Sequence, residues 1–218
     1  MREKISKKIE DAKMLLSKIL FGFQLGKMYR VNIELSQQYD AKKAVILGDK
    51  LFDIVTKELD KKPYLKDRVE KYSEKNDVAR SMAIEMICYA LATETGLYEH
   101  IELEMCYGAG RPYISGNNGP LVFYTGAPGA DFPIREILHE FTHFLQRHHK
   151  SSLNYNIITM AADNYVNDVI YKKSWIKKWR SFAEKIYKIN LKEKEASDVC
   201  KGRDKELKKW FEDKNKGL

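Results

Sequence analysis

A chain of 218 residues can bury one sizeable core, with room for a small helical appendage. Its 44% hydrophobic and 32% charged residues exclude a disordered, collagen-like or coiled-coil polypeptide. No run approaches the roughly 18 apolar residues that a membrane span needs. The net charge is +8, and from Tyr171 to Leu218 there are 16 Lys and Arg against 8 Asp and Glu, so the tail carries the whole excess.

Two further features bound the class. The apolar patch Met14 to Phe23 is interrupted by Ser17 and Lys18 and lacks a small-residue cleavage site, so no secretory leader is expected and the compartment reads as cytoplasmic. Cys88, Cys106 and Cys200 are odd in number and far apart, which reads as reduced core thiols rather than a disulfide framework or a zinc ribbon.

In chain order, Ile5, Ile9, Ala12, Leu15, Leu16, Ile19 and Leu20 recur at helical spacing and predict an amphipathic helix over about 3–25. Ala44, Ile46, Leu47, Leu51, Ile54 and Val55 predict a second over about 41–58, ended by Pro63. A third is expected from Asn76 or Asp77, as N-cap, to Thr95, with Gly96 as its stop. Between His100 and Pro133 lie six of the twelve glycines and four of the five prolines, so helix gives way to turns and strands. Residues 101–107 and 121–125 are the strand candidates, read as a β-hairpin or two sheet strands. Helical period returns after Asp131, an expected N-cap with Pro133 in the first turn, and runs to about Lys150. Another helix is expected over about 154–173, followed by Lys-rich helices. The fold class is α+β, mostly helical, with a small sheet beside the helix after Pro133. The chain divides into a helical N-terminal region (1–99), a core (100–172) and a basic helical tail (173–218), expected to form one compact unit.

That helix holds His139-Glu140-Phe141-Thr142-His143, an H-E-x-x-H sequence. Two His four residues apart face one side of a helix about one turn apart, close enough for both rings to hold one Zn²⁺, while the adjacent Glu can act on water. Ile134, Ile137, Leu138, Phe141, Phe144 and Leu145 form a broad apolar face, with His139, Glu140 and His143 roughly opposite. The strand-forming segment just before this helix is where a zinc peptidase keeps the edge strand that holds an extended substrate.

A catalytic zinc needs a third protein ligand. His148 points toward the apolar face if the helix continues, and no Gly after His143 turns the chain back, so His148 and His149 are disfavoured. Asp163, twenty residues beyond His143, is the expected ligand, with Asp168 next in line. Asn167 shares the face of Asp163 and is the expected partner that fixes the tautomer of a ligating His.

His139-Glu140-Phe141-Thr142-His143 followed by Asp163 and Asn167 resembles the zincin metallopeptidase pattern of thermolysin-like enzymes, with Asp163 where those have Glu. The run from Ile137 through His148 to Asp168 is also similar to a predicted bacterial and phage metallopeptidase domain that often precedes a von Willebrand A-like domain. The resemblance covers about residues 131–170. It implies peptide-bond hydrolysis on a protein or peptide substrate, with Zn²⁺ held by His139, His143 and Asp163 and with Glu140 as general base. The oxyanion helper is unassigned among Tyr155, Tyr165, His149 and Arg147. The alternative is an inactive zincin-like module whose basic tail binds nucleic acid or an acidic partner, with Trp175, Trp179, Phe182, Tyr187, Trp210 and Phe211 stacking or, more simply, packing between helices.

Overall fold

The structure is a computed structural model that describes residues 11–24, 26–27, 30, 39–114, 119–151, 153 and 191–217. The chain divides into two compact units, residues 1–39 with 155–191 and residues 40–154 with 192–218. In the second unit the helices of residues 41–94 and the C-terminal helices share one core with the H-E-x-x-H helix. Among the described residues no helix is long and apolar enough to cross a membrane.

In the first unit, residues 11–24 form helix α1. It buries Phe21, whereas Leu15, Leu16, Ile19 and Leu20 of its apolar stripe are exposed. In the second unit, α2 spans Ala41–Lys61, α3 Pro63–Glu70 and α4 Asp77–Glu94. Asp40 caps α2 by accepting from the backbone N–H of Lys42, and Asn76 caps α4 by accepting from that of Ala79. Pro63 does not simply close a helical region. It opens α3 at the first helical position, where its missing N–H costs nothing. Gly96, at φ +69°, stops α4 in the left-handed region that a Cβ disfavours.

Three strands follow: β1 Leu103–Cys106, β2 Tyr113–Ile114 and β3 Leu121–Tyr124, in the spatial order β1-β3-β2. The two expected strands are parallel partners, with Leu103 opposite Leu121 and Cys106 opposite Tyr124, so they cannot be a hairpin. The hairpin partner of β3 is the short β2, whose two residues leave too little alternation to read from sequence. A buried network ties the end of β3 to α4. The Tyr72 hydroxyl donates to Thr125 O at 2.9 Å, and the Thr125 hydroxyl donates to Asp77 at 3.0 Å. The Arg80 guanidinium donates to the carbonyls of Tyr72, Ser73 and Ala127.

Helix α5, Ile134–Arg147, then buries Ile134, Ile137, Leu138 and Phe141 completely. It starts and stops inside the expected range. Asp131 does not cap it, being engaged instead by Lys208 at 2.9 Å, and Pro133 occupies the cap position without a side-chain bond. At the other end His149, at φ +54°, turns the chain so that the N–H of Lys150 reaches the carbonyl of Leu145.

Helices α6, Leu191–Cys200, and α7, Arg203–Asn215, complete the unit. Their apolar residues Val199, Leu207 and Phe211 belong to the core, and Trp210 packs against it with Lys66 and Lys214 over its ring. Phe211 and Trp210 are therefore packing residues, while Trp175, Trp179, Phe182 and Tyr187 lie outside the described residues. Gly48 seats the end of α6 on α2. A Cβ there would stand 2.4 Å from Val199 O and 2.8 Å from the Arg203 guanidinium. Gly48→Ala is expected to cost about 1–3 kcal/mol, the usual penalty of overpacking, read as a lower urea midpoint by circular dichroism.

Candidate metal centre

The helix that carries the H-E-x-x-H sequence is held rigidly from behind. Its apolar face is buried against α4, the sheet and α7, so the opposite face is fixed in position. Glu136, His139, Glu140, His143 and Arg147 all project from that face, within an arc of about 100°. Glu136 is exposed, His139 and Glu140 are half-buried, and His143 is buried.

The two imidazoles meet edge to face, with ring centroids 4.8 Å apart and an interplanar angle of 87°. Their Nε2 atoms are 3.2 Å apart. Between them stands a carboxylate that the expected ligand set lacked: Glu193, in the first turn of α6. Its Oε2 lies 3.3 Å from His139 Nε2 and its Oε1 lies 3.4 Å from His143 Nε2. Among the described residues these three side chains form the one cluster able to hold a metal ion. Asp163, Asn167 and the alternative Asp168 lie outside the described residues. His148 stacks on His100 and meets Phe144 edge to face, so it serves packing, and His149 is the exposed residue that ends the helix.

Hydrogen bonding identifies the tautomer of His143. The Gln146 amide nitrogen donates twice, to Glu195 Oε2 at 2.8 Å and to Lys192 O at 3.1 Å. Its oxygen is thereby aimed at His143 Nδ1, 2.8 Å away, so that ring nitrogen carries the hydrogen and Nε2 presents its lone pair to the cluster. Gln146 is 1% exposed and Glu195 is fully buried, which keeps water from competing for either bond. Gln146 thus orients the His143 ring.

The two imidazole nitrogens lie 3.2 Å apart and each lies 3.3–3.4 Å from one oxygen of the Glu193 carboxylate, a meeting that a proton or a metal cation would satisfy. One ligand atom from each of the three residues lies within 4.8 Å of the other two. The N,N,O donor set fits Zn²⁺. His139, His143 and Glu193 would hold it, and among the described residues no fourth side chain joins them.

The electrostatics agree with that fit. Burial alone would lower the pKa of His139, but the Cys200 thiol and the Glu193 carboxylate outweigh it and raise the value to about 10. Glu193 moves the other way: burial would raise it, but its bonds to His139 and His143 hold it well below the usual carboxylate range. Glu140 is raised by burial, in opposition to the two imidazoles. The cluster thus keeps a proton on His139 at neutral pH.

Comparison with protein-family models, with curated proteins and with solved structures returned no match.

Two outcomes follow from the geometry. Because zinc must displace the His139 proton, its apparent affinity is expected to rise with pH from 6 to 9, below the raised pKa of about 10. Uptake at pH 7 should release protons, measurable by titration calorimetry in buffers of different ionisation enthalpy. Gln146→Leu is expected to leave the helix folded and weaken zinc binding about 10–100-fold, as loss of an outer partner usually does, measured by competition with a chromophoric chelator.

Proposed function

We propose that this protein is a zinc-dependent peptidase. The observation that carries the reading is the convergence of His139, His143 and Glu193 within metal-binding distance, with the half-buried Glu140 on the same helical face as the two histidines. A site serving structure alone has no use for a half-buried carboxylate beside the two histidines, whereas hydrolysis needs a base there.

Zinc bound at these residues would supply Lewis acidity to polarise the scissile carbonyl and acidify the attacking water. Glu140 takes the proton from that water and passes it to the leaving amine. Burial raises its pKa, so it retains an abstracted proton better than a solvated carboxylate would. Glu195 and Gln146 keep His143 in the tautomer that binds metal. Strand β2 lies at one edge of the sheet, where an extended peptide can add main-chain hydrogen bonds. Arg147, one turn beyond His143, donates to the carbonyl of Gly119 at 3.1 Å and steadies the entry to β3.

Elemental analysis of protein purified without chelator is expected to find about one zinc per chain. Zinc should be lost in His139→Ala, strongly reduced in Glu193→Ala and retained in Asp163→Ala. Glu140→Gln should keep its zinc and lose at least about 100-fold in cleavage of an unfolded protein such as casein. Wild-type protein that neither holds nor takes up zinc would overturn the reading, and so would a zinc-loaded Glu140→Gln that cleaves as fast as wild type.

A further inference from the structure

Helix α1 turns its apolar stripe outward. Leu15, Leu16, Ile19, Leu20 and Phe23 share one face, an arc of about 140° at 100° per residue. All five are 45–66% exposed. Phe21 stands about 170° from the middle of that arc and is buried, and Ser17 and Gln24, on its side of the helix, are half-buried. A helix that uses its stripe for a protein core turns it inward. An outward stripe of five large side chains marks a surface that meets an apolar phase.

The charge of the same unit narrows what that phase is. Residues 1–39 and 155–191 hold 15 Lys and Arg against 7 Asp and Glu, a net of +8 that equals the net charge of the whole chain. The second unit, residues 40–154 and 192–218, holds 24 of each and is neutral. Residues 1–30 alone hold 8 Lys and Arg against 3 Asp and Glu. At the end of the stripe the Lys27 ammonium lies over the Phe23 ring, 4.7 Å from its centroid, and Arg30 is exposed. An apolar face set among cations is the pattern of a helix lying in the plane of an anionic lipid surface, with its apolar side chains at the acyl boundary and its cations among the headgroups.

We infer that the first unit binds membrane surfaces: α1 seats the face from Leu15 to Phe23 in an anionic lipid surface, and the unit's excess of Lys and Arg holds it there. Such a helix lies on the bilayer and does not cross it. Other occupants fit less well. A nucleic acid offers phosphates but no apolar phase to receive the stripe. A second copy would bring a net of +8 against +8. A protein clamp that closes around a basic helix needs its whole circumference, and the Phe21 side of α1 is already buried. The inference is independent of the peptidase reading, because the metal cluster belongs to the other unit.

The test sediments the full-length protein, in low salt, with vesicles of phosphatidylcholine alone or of phosphatidylcholine mixed with phosphatidylglycerol. Binding to the anionic vesicles is expected to be at least about tenfold tighter than to the neutral ones, and to weaken as salt rises. Leu16→Glu with Ile19→Glu should reduce it at least about tenfold, and Leu16→Ala with Ile19→Ala should leave it intermediate. Both positions are exposed, so circular dichroism and zinc content should match wild type in each double variant. No sedimentation with anionic vesicles overturns the inference, as does binding that both double variants leave unchanged, which would assign it to charge alone. A wild-type dimer that ignores vesicles and that the Glu variant makes monomeric overturns it in favour of a second copy. Capture of single-stranded DNA but not of vesicles overturns it in favour of nucleic acid.

Discussion

Two imidazole nitrogens 3.2 Å apart, each 3.3–3.4 Å from an oxygen of one carboxylate and partly out of water, favour positive charge among them. Much of the second unit serves to enforce that unfavourable meeting. The completely buried side chains behind α5 prevent its His pair from turning away. Arg80 and Tyr72 lock the loop between β3 and α5 to α4, so the start of the helix is fixed as well. On the other side, the Gly48 contact seats the end of α6 on α2, while Arg203 bridges to Asp49 at 2.7 Å. The first turn of α6 then brings Glu193 to the cluster and Lys192 O and Glu195 to Gln146. A proton on His139 satisfies the cluster, so metal uptake there would release a proton.

The parts of this arrangement that depend on local pattern were legible in the sequence. Helices α2, α4 and α5 follow apolar periodicity, and the Asn76 cap and Gly96 stop follow from side-chain and backbone preferences. His139, Glu140 and His143 share a face because 3.6 residues make a turn. The α+β class followed from the turn-rich stretch between helical halves. What depends on distant contacts was not legible. Asp131 looks like a helix cap until Lys208, on α7, is brought beside it. Residues 101–107 and 121–125 resemble a hairpin because nothing local reveals that β2 intervenes.

Glu193 is the most instructive omission. Leu191-Lys192-Glu193-Lys194-Glu195 reads as an alternating charge run, and such runs are usually solvated. A signal was nevertheless present. Glu195 falls on the same helical face as Ala196, Val199 and Cys200, all of them buried, and a carboxylate on an apolar stripe requires a partner. That partner is Gln146, a residue the H-E-x-x-H pattern does not include. The sequence reading sought the third ligand among residues 148–168, of which Asp163 and Asp168 lie outside the described residues. Glu193 stands fifty residues beyond His143, on a helix that also carries the outer hydrogen-bond acceptors.

The identity of the atoms around a bound metal decides the account more directly than any variant. X-ray absorption at the zinc edge of the purified protein is predicted to show nitrogen and oxygen neighbours at about 2.0–2.2 Å, with multiple scattering from two imidazoles and no sulfur. A sulfur neighbour at about 2.3 Å, which would bring in Cys200, or scattering from a single imidazole, would contradict it.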